Sequence, residues 1–279
     1  MPSIAEKRRV FRQLHAAGCF VIPNPWDVGT ARYLQGIGFK ALATTSAGFA
    51  FSKGFADGTY SRDMALEHCR EIAKATDVPV NVDYEDGYAD NPAGVAESVR
   101  LCLETGIAGL SIEDSTDNPA NPLYEFDDAL ARVKAARRAI DEAGGDVIFT
   151  ARSEGFIRGR PDLGETIRRL CAYADAGADC LYAPGIKARE QIEAVVKAVG
   201  PKPVNFLHSG ATDFSVSDIA AMGVRRISTG GALARTAWTG FVRAAREIAE
   251  QGRFDGLSGT VPNAELNAFF QDDVKRRGS

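Results

Sequence analysis

Acidic side chains gather at a few points along this chain of 279 residues, and each point follows a short apolar run. Pro79-Val-Asn-Val-Asp-Tyr-Glu85 ends in Asp83 and Glu85, and Gly109-Leu-Ser-Ile-Glu-Asp114 ends in Glu113 and Asp114. Asp57 stands in the loop after Lys40-Ala-Leu-Ala-Thr-Thr-Ser46. If these runs are strands, alternation along the third sends Asp83 and Glu85 to one side. Carboxylates that close raise one another's pKa, so four or five at one mouth call for a cation or an arginine. Mg²⁺ suits such a set, with Mn²⁺ as the alternative: it takes oxygen ligands, keeps several waters and leaves other acids to hold those waters. The competing reading makes the acids helix caps and surface loop residues.

The run Asp146-Val-Ile-Phe-Thr-Ala-Arg152 continues into Ser153-Glu154. Arg152 offers a planar donor fork that suits a substrate carboxylate, and Glu154 is placed to orient it. The alternative role for Arg152 is a structural ion pair with the acids. In Thr44-Thr-Ser-Ala-Gly48, the hydroxyls of Thr45 and Ser46 and the N–H groups through Ala47 and Gly48 can surround an anion. Asn205 and His208 flank the end of Pro203-Val-Asn-Phe-Leu207 and offer a hydrogen bond or a proton, a plain loop histidine being the alternative. Gly230-Gly231 reads either as a phosphate site after a last strand or as a point of close packing.

The elements that must carry these residues repeat one unit. Eight apolar runs, beginning with Cys19–Asn24 and ending with Arg226–Gly230, are too apolar for half-exposed antiparallel strands and fit a buried parallel sheet. Helical patterns lie between them, over Asp63–Thr76, Pro92–Thr105, Asp127–Ala143, Asp162–Ala176 and Ala188–Val199. Gly36, Gly106, Gly177 and Gly223 punctuate the return to the next strand as left-handed helix caps. Eight such units predict an α/β (β/α)8 TIM barrel, whose usual size is ~250 residues. A doubly wound sheet would show G-x-G-x-x-G after its first strand, where this chain has Pro23-Asn-Pro-Trp-Asp27. The barrel is expected over 1–255. A helical extension, 256–279, carries an apolar stripe of Leu266, Phe269 and Phe270 that packs on a neighbouring subunit or folds back on its own barrel.

Composition narrows the partners. A net charge of -4 gives no basic footprint for nucleic acid or an anionic membrane. No signal-like or membrane-spanning run is present, so the cytoplasm is the expected location. Five scattered cysteines without a C-x-x-C pair argue against a disulfide framework or a zinc site and read as core fillers.

With these residues in place, the sequence resembles the isocitrate lyase and phosphoenolpyruvate mutase superfamily. The likeness covers most of the chain, through Pro23–Asp27, Thr44–Gly48, Val82-Asp-Tyr-Glu-Asp-Gly-Tyr88, Ile112-Glu-Asp114 and Ala151-Arg-Ser-Glu154. It implies that Asp83 binds Mg²⁺ directly, with Asp57, Glu85 and Glu113 acting mainly through its waters. It implies further that Ser46, Ala47 and Gly48 form an oxyanion-holding loop, that Arg152 takes the substrate carboxylate, and that a C-terminal helix is exchanged within a homodimer or homotetramer. One departure bears on the reaction. Lyases of the family carry Lys-(Lys or Arg)-Cys-Gly-His after the fourth strand, whereas this chain has Ser115-Thr-Asp-Asn-Pro-Ala-Asn-Pro-Leu123. The mutase string Lys-Thr-Asn-Ser is also missing, although Asn118 or Asn121 is placed to stand for its asparagine. The likeness therefore points to the branch that includes oxaloacetate decarboxylase.

The expected activity is Mg²⁺-assisted cleavage of a carbon–carbon bond in a small 2-oxo or 2-hydroxy acid, decarboxylation of an oxaloacetate-like compound first. Asp57, Glu113 and Arg152 would carry it, with no nucleophile required. The alternatives are carbon–phosphorus chemistry on phosphonopyruvate and a non-catalytic protein that holds a 2-oxo acid.

Overall fold

A computed structural model describes residues 2–116, 118–210 and 213–278. All eight expected strands form: β1 (Phe20–Ile22), β2 (Leu42–Ala43), β3 (Val80–Asp83), β4 (Gly109–Glu113), β5 (Ile148–Arg152), β6 (Cys180–Tyr182), β7 (Val204–Leu207) and β8 (Arg226–Ser228). They pair in parallel in the order β1-β8-β7-β6-β5-β4-β3-β2. A backbone bond from Ala43 N–H to Pro23 O, 3.0 Å long, links the two ends, so the sheet is a nearly closed (β/α)8 TIM barrel.

Two helices precede β2. They are α1 (Ile4–Ala16), which the apolar pattern does not reveal, and α2 (Val28–Gly36). Ser3 and Glu6 start α1 with a reciprocal capping box. Phe11 of this helix is fully buried with Ile22, Ala41, Ala43, Ala108 and Ile148, and its ring lies so close to Gly109 that a Cβ there would collide with it. Next come α3 (Ser46–Lys53), α4 (Arg62–Ala75), α5 (Pro92–Leu103), α6 (Phe126–Glu142), α7 (Leu163–Asp175), α8 (Arg189–Val199) and the short α9 (Val216–Ala221). Their apolar faces bury Val99, Ala136, Leu170, Val195 and Ile219 in one cluster with the outward side chains of β3 to β8. The expected cap at Gly36 is moved by two residues. Gly38 takes the left-handed conformation, at φ 106°, and Gly36 instead lets the Phe269 ring approach the backbone.

α10 (Ala232–Gln251) follows β8, and of its residues only Ala234 and Ala244 are buried. Trp238, Phe241 and Val242 are exposed. α11 (Asn263–Gly278) lays Phe269 against Tyr33 of α2 in the same chain, ring centroids 4.7 Å apart, while Leu266 stays exposed. Asp273 is buried there between Arg32 and Arg277. Cys69, Cys102 and Cys180 are buried and unbridged, in keeping with core filling. Among the described residues, no helix is long and apolar enough to cross a membrane.

Candidate active site

The carboxyl ends of the strands surround a cavity of about 170 Å³. Its wall includes Asp57, Asp83, Arg152, Thr45, Ser46 and Ala47, and its deeper part Asn81, Ser111, Asn205 and Arg226. Arg152, the last residue of β5, is the hub. Its Nη1 meets Asp83 Oδ1 at 2.5 Å, its Nη2 meets Glu113 Oε2 at 2.9 Å, and its Nε meets Glu154 Oε1 at 2.8 Å. The guanidinium also lies 5.0 Å over the Tyr182 ring. Glu154 thus makes the orienting contact expected of it, and Arg152 forms the ion pairs of the structural alternative as well.

Glu113 is tied on both oxygens. Oε1 accepts from Ser115 Oγ and from Arg158 Nη2, the latter at 3.1 Å. Burial works to raise its pKa, but Arg152, Ser115 and Arg158 outweigh burial and hold the carboxyl below its ordinary value. Glu154 is fully buried, and burial pushes it up to about 8 against the pull of Arg152. Asp57 is raised by burial and by Asp83, with the Ser46 hydroxyl drawing it back. Glu85 is raised well above the usual range by burial, then by Glu113, Asp83 and Asp57.

Asp57, Asp83, Glu85 and Glu113 are therefore gathered, but arginines are interleaved with them. Among the described residues no three acids, histidines or cysteines stand ready as a ligand cage. The group nevertheless fits a hard divalent cation. Two arginines face five carboxyl groups counting Glu154, and among the described residues Glu85 Oε1 is a buried acceptor without a hydrogen-bond partner. Among the described residues, Asp83 Oδ2 accepts only a long bond, 3.2 Å, from Ser46 N–H. The sidedness of Glu85 arises differently from expectation. β3 ends at Asp83, and Glu85 sits beyond it in a left-handed turn, φ 46°, with Tyr88 at φ 52°. Arg132 of α6 holds that turn through the carbonyls of Asp86 and Ala89, and Tyr124 OH donates to Asp86 at 2.7 Å.

The 44–48 segment becomes the start of α3. Thr45 is its N-cap, accepting from Gly48 N–H at 3.3 Å, so its hydroxyl positions the turn. Ser46 N–H goes to Asp83, and Phe49 N–H bonds to Thr45 O. Among the described residues no partner stands against Ala47 N–H, a helix-start donor at the cavity wall.

Several expected members lie elsewhere. Asp114 points out of the barrel, accepting from Glu154 N–H, Tyr173 OH and Arg169 Nη1 at 2.8, 2.8 and 3.1 Å. Alternation with the inward Glu113 requires this. His208 lines a separate groove with Thr229 and Arg235, its Nε2 3.4 Å from Phe214 O. Asn205 is in the cavity but deep, bonded to Ser228 and Arg226. Asn118 turns its side chain onto Ala120 N–H inside its own loop, which Ser115 and Leu123 close as a bridge, and Asn121 lines a different groove. Gly230 N–H is taken by Asn24 Oδ1 at 2.8 Å, which favours packing over a phosphate at that turn.

Asn24, Arg158, Tyr182 and Arg226 escape the sequence reading. Asn24 joins three strand ends, donating to Thr44 O at 2.8 Å and accepting from Thr229 and Gly230 N–H. Its one signal is its place in Pro23-Asn-Pro.

Comparison with known proteins bears on the family and the fold. The profile of the family described as phosphoenolpyruvate phosphomutase matches residues 11–249. A solved structure of a candidate lyase/mutase from Burkholderia cenocepacia J2315 is 46% identical, with a TM-score of 0.91 over 96% of each chain. An uncharacterized protein of Mycobacterium tuberculosis (strain H37Rv) is 33% identical over 95% of this chain and 98% of its own. An oxaloacetate decarboxylase of Paraburkholderia xenovorans (strain LB400) is 29% identical over 80% of this chain and 74% of its own.

Proposed function

Because the chain belongs to the phosphoenolpyruvate phosphomutase family, within a superfamily of lyases and mutases, we propose that it cleaves a carbon–carbon bond in a small 2-oxo or 2-hydroxy acid, an oxaloacetate-like acid first. The observation that carries the reading is Arg152, held among Asp83, Glu113 and Glu154 at the cavity wall, with the start of α3 also at that wall. A divalent cation, Mg²⁺ with Mn²⁺ as the alternative, held by Asp83 and through waters by Asp57, Glu85 and Glu113, would supply Lewis-acid polarisation of the 2-oxo group. Arg152 then exchanges its Asp83 contact for the substrate carboxylate, with Glu154 keeping its plane fixed. The Ala47 N–H and the α3 dipole stabilise the enolate oxygen that develops when the bond between C3 and the departing carboxylate breaks, its electron pair passing to the 2-oxo oxygen as CO2 leaves. Asn24 and Thr45 keep that helix start in place. No cysteine or histidine is among the described residues of the cavity wall, and an enolate route needs neither as nucleophile.

We place this chemistry in the cytoplasm, in a homodimer or homotetramer whose contacts involve the exposed face of α10 and the extension after it. The experiment is release of pyruvate from oxaloacetate, followed with lactate dehydrogenase against a protein-free control containing the same Mg²⁺. A rate proportional to protein and abolished by EDTA is expected. Phosphate release from phosphonopyruvate without pyruvate release from oxaloacetate would move the reading to carbon–phosphorus chemistry.

A further inference from the structure

A barrel interior is ordinarily filled by layers of branched apolar side chains. Beneath the acids of this mouth the layer is polar instead: Asn81, Ser111, Thr150, Asn205 and Arg226 are all buried there. Arg226, at the start of β8, is 3% exposed. Among the described residues no carboxylate pairs with it. Its Nε donates to Asn205 Oδ1 at 2.8 Å, and its Nη1 lies 3.4 Å from both Asn81 Oδ1 and His15 Nε2. Burial and then the charge of Arg226 keep His15 neutral, with a pKa lowered to about 3, so all three partners are uncharged.

A buried cation without a counter-ion is costly, and native proteins pair such groups. The mouth acids do not serve this one. Arg152 and Arg158 are the arginines that act on Asp57, Glu85, Glu113 and Glu154. Yet Arg226 and Asn205 line the same cavity as Arg152 and Ser46, Arg226 from the first residue of β8 and Arg152 from the last residue of β5. Asn205 is fixed for this purpose, since donation from its Nδ2 to Ser228 Oγ at 2.9 Å turns Oδ1 toward the guanidinium.

We propose that Arg226, steadied by Asn205, takes a second anionic group of the substrate at the floor of the cavity and so selects dicarboxylic over monocarboxylic acids. The proposal rests on the reading of the mouth as the place where the first carboxylate binds. A cavity of about 170 Å³ restricts the ligand to a short chain reaching from Arg152 to Arg226.

The test is calorimetric binding, with Mg²⁺ present, of lactate and malate, two 2-hydroxy acids that differ by one carboxylate. Wild-type protein should bind malate at least ~10-fold more tightly than lactate, the scale of one charged hydrogen bond. Arg226→Met should bring the two affinities within about twofold, almost entirely through loss of malate. Asn205→Asp, which neutralises Arg226 in place, should do the same and serves if Arg226→Met does not fold. Equal affinities in the wild type, no measurable malate binding, or equal loss of both acids in the variants would overturn the assignment. A malate preference that depends on Arg226, in a protein that cleaves no 2-oxo acid, would leave the assignment standing and remove the proposed reaction. Turnover without that preference would do the reverse.

Discussion

Replacing Arg152 by methionine removes the one group that touches Asp83, Glu113 and Glu154 together. Glu113 and Glu154 have side chains 4% and 0% exposed, so neither can recruit bulk water as compensation. Stranding a buried charge costs about 3–5 kcal/mol unless the group takes up a proton. Keeping one carboxyl of ordinary value 4.5 protonated costs about 3.4 kcal/mol at pH 7 but only about 0.7 at pH 5. In the native protein Glu113 lies below that value, so its pairing stabilises the fold above the ordinary carboxylate range and is lost as pH falls. In Arg152→Met the sign reverses: Glu113 is raised, and stability is lost as pH rises. A chain of 279 residues has an unfolding entropy of about 0.6 kcal/mol per kelvin. The metal-free variant should therefore melt about 5–6 °C below wild type at pH 7 and about 1–2 °C below at pH 5. Calorimetry at both pH values reads this directly. An unchanged midpoint at pH 7, or the same deficit at both, would show that the acids do not depend on Arg152.

Acid should also act through two buried histidines. Burial lowers His15 to about 3 and His68 to about 4, so stability is full above 6.5 and falls below it, by on the order of 2 kcal/mol per histidine at pH 5. His68 stacks on Phe49 and, among the described residues, leaves Nε2 without a partner; His68→Phe should cut the loss between pH 7 and pH 5 by about 2 kcal/mol, and an unaltered loss would refute this. The self-closed loop from Ser115 to Leu123 contains no acid-donating cysteine, so glyoxylate or succinate release from isocitrate and methylisocitrate should be negligible. Turnover near ~10 per second would contradict that. Truncation after Gly259, or Trp238→Glu with Phe241→Glu, should lower the mass seen by light scattering; an intact protein that is already a monomer defeats the oligomer reading.

The eight strands could be read from sequence because each is a continuous apolar run in a repeating unit. α1 could not, because its inward face is Lys7, Phe11 and His15, two of which no apolar pattern counts. Lys7 is satisfied by Ala73 O and Thr76 O, partners far away in the chain. The gathering of Asp57, Asp83, Glu85 and Glu113 follows from their places at the ends of strands or in the loops after them. Asp114 was separable from them by alternation alone. Arg226 and Asn24 were hidden for a different reason. One lies at the start of its strand, where barrels usually carry structural residues, and the other works only through the ends of two other strands.

If these acids hold a cation that the reaction uses, Asp83 is the side chain whose loss shows it most directly. Asp83→Ala should abolish Mg²⁺ binding in calorimetry and protein-dependent pyruvate release together, while the metal-free melting temperature stays within about 2 °C of wild type because Arg152 keeps Glu113 and Glu154. Glu85→Gln and Glu113→Gln, which leave the direct ligand in place, should each cost ~10- to 100-fold. Normal Mg²⁺ binding by Asp83→Ala, with melting several degrees earlier, would show that the acid serves the ion-pair network of the barrel and that the proposed chemistry is wrong.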